Sequence, residues 1–303
     1  MSISVSDHNL EPGTLWTKIC HQTQHGLNCG ALKPIATQHE WVEHDQIRFL
    51  VRILDNLVRK EKAQVKQKQR SDKPFNPFLP YEEDLFVTHI SDTHLCLLNK
   101  FNVVDHHSLI VTRAFEAQEC WLNQLDFEAL WACLREIDGL AFYNGGKNAG
   151  ASQRHKHLQL VPLPMVPEEG GQALPIETAI ASAQFTAAIG IAPQLPFCHG
   201  IMHLAVNPDD SLATCATQTL TTYHRLLAAI GLPFAGETQT GAYNLLMTRR
   251  WMMLIPRSQE DYQSIPINAL GFAGSFLVKN AEQMARLKQL KPLNLLSAVG
   301  LPR

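Results

Sequence analysis

The chain has 303 residues and a formal net charge of −2, with 45% hydrophobic and 18% charged residues. That is enough to bury a substantial core, and it gives no overall basic field, so neither nucleic acid nor a membrane surface is expected as a partner. No stretch approaches the ~20 apolar residues of a membrane helix, and MSISVSDHNLEPGTLW lacks a basic region followed by an apolar core.

Residues 1–45 are mixed in character, with Trp16 and Trp41 expected to anchor them against the core. From Gln46 to Arg59 apolar residues recur both in alternation and at helical spacing, which leaves strand and helix open. The stretch 59–73 carries seven basic and two acidic residues and reads as a solvated loop. Pro74, Pro77 and Pro80 break any helix ahead of LFVTHIS, an alternating strand. HLCLLNKFNVV and SLIVTRAF read as two further strands, joined through Asp105 to His107, where His106 and His107 are expected to serve the turn. Phe115 to Asp138 has helical spacing, with a stripe of Leu122, Leu125, Leu130, Trp131, Leu134 and Ile137, Asp126 as N-cap and Gly139 as stop. LAFYN is a short strand that delivers Asn144 to a loop.

That loop opens the most informative stretch, 144–164, NGGKNAGASQRHKHLQLVPLP. Its first half has no apolar periodicity and must be a loop. Its second half alternates, so His155, His157 and Gln159 share one strand face while Lys156, Leu158 and Leu160 share the other. Three successive positions on one face forfeit apolar burial, which points to a role beyond folding. Small residues at Gly150, Ala151 and Ser152, with Gln153, let a ligand approach their backbone N–H groups, as in an anion nest. A phosphate beside a neutral imidazole suits nucleophilic attack on phosphorus, giving a phosphoramidate that a second nucleophile cleaves.

Pro162, Pro164 and Pro167 end this strand, and a linker is expected from Gly170–Gly171 to about Leu195. The expected divisions are thus 1–168, a 169–195 linker, and a second α+β region over 196–303. In the latter, FCHGIMHLAVN reads as a strand, because Pro196, Gly200 and the β-branched residues argue against the helix that would turn His199 and His203 into a metal pair. TLTTYHRLLAAIGL reads as a helix capped by Gly231, and AYNLLMT and WMMLIPR as a hairpin around Arg249–Arg250. In NALGFAGSFLVK, Gly271 and Gly274 suit either close element packing or ligand approach.

The run GASQRHKHLQLVPLP resembles the H-x-H-x-Q signature of the transferase branch of the histidine triad superfamily, and more closely its diadenosine tetraphosphate phosphorylase (ATP adenylyltransferase) family. NPFLPYEEDLFV at 76–87, LLNKFNVVDHHSLIVT at 97–112 and NALGFAGSFLVK at 268–279 carry the same resemblance, which covers most of the chain from about Phe49 onward. It implies an α+β fold: a histidine-triad-like antiparallel sheet with helices, followed by the second α+β region. It also implies phosphorolysis of diadenosine tetraphosphate to ATP and ADP through an adenylylated His157. Gln159 would stabilise the charge that develops, and His155 would orient its surroundings. Nucleotide contacts are implied for Asn99, Lys100, Asn144, Gly150, Ala151, Ser152, Gln153, Gln159, Asn268, Ala269, Leu270, Ser275 and Lys279, and, by rough placement, Lys60. Uridylyl transfer between sugar phosphates and a non-catalytic nucleotide sensor are the alternatives.

The sister uridylyltransferases often hold zinc through a close cysteine pair plus histidines. His107 and His155 correspond to two such ligands by position, but Cys20 and Cys29 are too far apart for the thiolate pair. No protein-bound metal is therefore expected, with Mg²⁺ entering, if at all, on the substrate phosphates. Seven single cysteines, at 20, 29, 96, 120, 133, 198 and 215, fit reduced thiols and a cytoplasmic protein.

Overall fold

The computed structural model describes residues 10–54, 75–165 and 173–303. The basic 59–73 segment, with Lys60, lies outside them. In chain order the elements are α1 (Leu15–Cys29), β1 (Thr37–His44), β2 (Ile47–Leu54), β3 (Phe86–His89), β4 (His94–Leu98), β5 (Ser108–Thr112), α2 (Gln124–Leu134), β6 (Gly139–Gly145) and β7 (His157–Pro162). Then come α3 (Glu177–Ala181), β8 (Gln184–Thr186), β9 (Ile189–Ile191), β10 (Gly200–His203), α4 (Leu212–Ala229), β11 (Tyr243–Met247) and β12 (Trp251–Pro256). The chain ends with β13 (Asp261–Tyr262), β14 (Ile265–Pro266), α5 (Ala269–Phe272), β15 (Ser275–Val278), α6 (Ala281–Leu290) and α7 (Pro292–Val299). This is the α+β class expected.

Ten strands form one antiparallel sheet in the order β3-β4-β5-β7-β6-β11-β12-β10-β9-β8. β7, at its centre, pairs β5 through Val111↔His157 and Leu109↔Gln159, and β6 through Phe142↔Gln159. Because side chains alternate, Leu158 and Leu160 join the core under α1, α2 and α4, while Val161 joins the core on the other face with Phe142, Leu246 and Phe276. His157 and Gln159 therefore sit on the Val161 face. A smaller sheet, β1-β2-β15, resolves the ambiguity at 46–59 in favour of a strand as far as Leu54. The large sheet also draws strands from both sides of the expected 169–195 linker, and that segment itself contributes α3, β8 and β9. Among the described residues no helix is long and apolar enough to cross a membrane.

Several local expectations need correction. Residues 15–29 form a helix whose buried side is only Leu15, Ile19 and Gly26; Trp16 is 40% exposed and packs its edge on His106 instead of anchoring the core. Trp41 is half-buried under the Arg48 guanidinium. The helix expected over 115–138 shrinks to α2, and its proposed apolar stripe includes Leu125, which is 46% exposed.

Asp126 is not the N-cap. Asn123 is, accepting from the N–H groups of Leu125 and Asp126, while the Asp126 carboxylate accepts from the Asn123 N–H to complete a capping box. That carboxylate is fully buried because of what lies beneath it: the Lys156 ammonium, equally buried, sits 2.6 Å away, and His94 Nε2 3.1 Å. Lys156 also donates to Glu116 and to the Trp121 carbonyl. Burial pushes the Asp126 carboxyl up, but the His94 hydrogen bond and the Lys156 charge outweigh it and hold its pKa below the usual carboxylate value.

Removing one member of a buried pair leaves an uncompensated charge, which costs about 3–5 kcal/mol, whereas replacing both by apolar groups is often neutral or stabilising. Asp126→Ala should therefore lower stability by about that amount in urea unfolding, and Asp126→Leu/Lys156→Met should recover most of it. A single variant as stable as the parent would show that the pair does not hold the strand.

Candidate active site

Three imidazoles and an amide meet around β7, and backbone groups decide which ring nitrogen of each carries hydrogen. His157 Nδ1 lies 2.8 Å from the His155 carbonyl. A carbonyl can only accept, so Nδ1 carries the hydrogen and Nε2 keeps its lone pair. His155 is set the other way: its Nε2 lies 2.8 Å from the Thr112 carbonyl and 3.1 Å from the Ala114 carbonyl, so Nε2 donates. Its Nδ1 then accepts from Asn76 Nδ2 at 3.0 Å, and Asn76 is oriented because its Oδ1 accepts the Phe78 N–H. Both nitrogens of His155 are thereby committed.

The same logic runs through His107, which sequence reasoning placed in the turn. Asn99 Oδ1 accepts from the Phe101 N–H, which turns Nδ2 toward His107 Nδ1 at 3.1 Å. His107 must then carry hydrogen on Nε2, which donates to Gln159 Oε1 at 2.9 Å. With its oxygen occupied, Gln159 presents its amide N–H groups to a ligand. His107 is buried and packs on Phe142. The available signal was the pair of histidines just before β5, the strand beside HKHLQL. His106 is the turn residue, at φ 57° and bonded to Thr23 Oγ1.

Burial lowers the pKa of His157 to about 4; the His155 carbonyl opposes this and the His155 ring adds to it. His107 is likewise lowered to about 4, first by burial and then against the Gln159 hydrogen bond. Both rings are neutral at neutral pH. Phe78 covers His157 and His155, with ring centroids 5.2 and 5.8 Å apart, and Phe115 meets the His155 edge. Gln118, also missed from sequence, accepts the His157 N–H and donates to the Asn144 and His157 carbonyls, so one buried amide joins the start of β7 to the end of β6.

The phosphate nest expected at 150–153 is only partly available. Gly150 N–H is bonded to the Lys147 carbonyl and Ala151 N–H to that of Gly146. Gly150 stands at φ 88°, and a Cβ there would come within 2.8 Å of the Asn268 Cβ. Its glycine therefore serves a close packing of loop on α5 as well as a left-handed turn. Ser152 is exposed and Gln153 half-buried at the mouth of the loop.

Asn144 is buried, and its Oδ1 accepts from Asn244 Nδ2 and from the Ala269 N–H, both at 2.9 Å. Asn268 caps α5 by accepting from the Leu270 N–H. Asn144, Gly150, Asn268, Ala269 and Leu270 are thus brought together, with Asn144 as the joint between them. Arg257 completes the joint: buried, it donates to Asn244 Oδ1 at 2.5 Å and to the carbonyls of Ala149 and Ile267.

Lys100 is half-buried and paired with Glu82 at 2.6 Å. Ser275 and Lys279 lie at the start and just beyond the end of β15, in the smaller sheet whose Phe276 packs in one core with Phe142 and Val161. Gly274 reads as packing, since a Cβ would meet Pro175 at 2.5 Å, and Gly271 likewise crowds Ile267.

Family comparison agrees with this architecture over nearly the whole chain. Residues 5–182 match the family model of the Ap4A phosphorylase N-terminal domain, and residues 193–302 that of the ATP adenylyltransferase C-terminal domain. The chain belongs to the Ap4A phosphorylase family. Among its relatives, diadenosine 5′,5‴-P1,P4-tetraphosphate phosphorylase 2 of Saccharomyces cerevisiae is 29% identical over 251 residues, 73% of this chain and 74% of the yeast protein. The crystal structure of yeast Ap4A phosphorylase Apa2 superposes with a TM-score of 0.74 at 24% identity, covering 97% of this chain and 99% of the yeast chain. Apa2 has also been solved in complex with Ap4A. Placed in this family, the row His155-x-His157-x-Gln159 has one ring nitrogen with an unshared pair among the described hydrogen bonds, Nε2 of His157.

Histidine titration by ¹⁵N-edited NMR checks this assignment. His157 should remain neutral as the Nδ1–H tautomer throughout the interval from about pH 5 to 8 in which ordinary histidines titrate, protonating only near pH 4. A midpoint near the ordinary 6.5 would overturn it.

Proposed function

We propose that the chain phosphorolyses diadenosine tetraphosphate to ATP and ADP, with His157 as nucleophile. The observation that carries this reading is the tautomer of His157. A neutral imidazole with its Nε2 pair free is ready to attack phosphorus without first losing a proton, and its Nδ1–H bond to a carbonyl stabilises the cationic ring that forms. In the first step Nε2 bonds to the α-phosphorus and the phosphorus–oxygen bond to the triphosphate breaks, its electron pair leaving with ATP. In the second, a phosphate oxygen bonds to the same phosphorus, the phosphorus–nitrogen bond breaks, and ADP leaves as the ring regains its pair.

Gln159 supports both steps with N–H donors toward the nonbridging oxygens, where negative charge builds. An amide donates there but cannot relay a proton to water as an imidazole does, which favours transfer over hydrolysis. His155, with both nitrogens committed, orients the His157 carbonyl partner and the β5–β7 joint. Lys100 and Ser152 would contact the polyphosphate, as the family resemblance implies, and Mg²⁺ would enter as part of the substrate. The yeast relatives act on or bind Ap4A by name, and all seven cysteines are unpaired with one another, as in a reducing compartment such as the cytoplasm.

Incubation of the pure protein with diadenosine tetraphosphate, with and without phosphate, tests the reading by chromatography of the products. ATP with ADP should appear only with phosphate, and without it a base-stable, acid-labile adenylyl label should stay on the protein. Binding without turnover would instead favour a sensor, and turnover seen only when a hexose 1-phosphate and a UDP-sugar replace these substrates would favour uridylyl transfer. His157→Ala should abolish turnover while leaving folding intact; activity within about tenfold of the parent would sink the nucleophile assignment.

A second variant isolates the His107 link. His107→Phe fills the same space but frees the Gln159 amide to rotate, so kcat should fall by at least about tenfold, toward the loss seen when an oxyanion donor is removed, with little change in KM. An equal rise in KM at constant kcat would show that His107 serves binding alone.

A further inference from the structure

Away from the histidine row, three side chains of metal-binding type converge where α1 meets the 3₁₀ turn Glu83–Leu85 that leads into β3. His25 and Cys29 stand four residues apart on one face of α1, and Asp84 reaches them from the turn. His25 Nε2 lies 2.8 Å from Asp84 Oδ1 and 3.9 Å from Cys29 Sγ, and the three donor atoms all fall within 4.8 Å of one another. Two further bonds hold the scaffold: Gln22 Nε2 donates to the Asp84 carbonyl, and the Leu32 N–H to the Gly26 carbonyl just beyond the helix turn.

We propose that His25, Cys29 and Asp84 form a zinc-class metal site that staples α1 to the turn before β3. Tetrahedral zinc at its usual bond lengths separates nitrogen, oxygen and sulfur ligands by about 3.4–3.6 Å. The 3.9 Å His25–Cys29 separation is close to this value, and the 2.8 Å His25–Asp84 hydrogen bond reaches it when the metal replaces the intervening proton. One nitrogen, one thiolate and one carboxylate form a mixed set that suits a borderline cation such as Zn²⁺ better than Mg²⁺ or Ca²⁺. The last turn of α1, with its outward carbonyls, favours positive charge at that end. All three residues are exposed, so the fourth position is open to water. Binding takes the metal from solvent and releases the thiol proton to it; no oxidation is involved. The set escaped the sequence reading because that reading paired Cys29 with Cys20, whereas its partners are one helical turn back and far along the chain.

The full-length protein, stripped with a chelator and desalted, is titrated with Co²⁺ while its absorption is followed, and Zn²⁺ is then added in competition. We expect one Co²⁺ per chain with a thiolate-to-cobalt charge-transfer band, displacement by Zn²⁺, and a rise in thermal midpoint with Zn²⁺. Cys29→Ser should abolish the band and the thermal shift, and His25→Ala and Asp84→Asn should each weaken Zn²⁺ by at least about tenfold. The metal-free midpoints of the variants should match the parent, because the three side chains are exposed. No charge-transfer band in the parent, or a band and affinity unchanged in Cys29→Ser, overturns the site. So does a loss of affinity confined to variants whose metal-free midpoint has also fallen.

Discussion

The buried ion pair between Lys156 and Asp126 is the constraint on which the site depends. Lys156 stands just before β7, between His155 and His157, and a fully buried ammonium has to find its carboxylate. Asp126 waits on the α2 side of the sheet, so Lys156 must point there, and strand alternation then sends His155 and His157 to the other face. A slip of one residue would bury the ammonium among Val111 and Phe142 and strip both histidines of their partners. The same carboxylate completes the capping box of α2 and accepts from His94 on β4, so the helix, β4 and the central strand share one charge.

On the opposite face a second polar joint, Asn144–Asn244–Arg257, ties the end of β6 to β11, to the loop before β7 and to α5. Its residues come from both family regions. The sheet is continuous across them, and the site lies on that shared surface, so neither region holds the histidine row in place alone. Each buried polar group here meets a partner in a low-dielectric setting, where satisfied networks rigidify and partly satisfied ones are costly.

Much of the fold was legible because strand signals are local: β3 and β7 fall where alternation put them, and β4, β5, β6, β10, β11 and β12 fall in stretches read as strand. The row of His155, His157 and Gln159 was legible for the same reason. What failed was tertiary. α1 shows almost no apolar stripe, since Leu15 and Ile19 carry its burial and Trp16 faces out. Asp126 looked like a cap because its true role depends on a lysine thirty positions away. His107 looked like a turn residue because its partner Gln159 lies across the sheet. The anion nest looked complete because sequence shows small residues but not that Gly150 and Ala151 spend their N–H groups on the loop itself.

The chemical assignment follows from groups that have no choice. A backbone N–H can only donate and a carbonyl can only accept, and each ring in the site is linked to one of them. The Phe101 N–H turns Asn99, Asn99 sets His107, and His107 occupies the Gln159 oxygen, so a main-chain donor three links away decides that Gln159 offers hydrogen rather than a lone pair. The Thr112 and Ala114 carbonyls and Asn76 exhaust His155. The His155 carbonyl, in turn, takes the Nδ1 hydrogen of His157 and leaves Nε2 as the unshared pair. Three histidines of similar intrinsic basicity are thus distinguished by backbone geometry, and the one left with a free pair is the one that faces a donor amide two residues along its own strand.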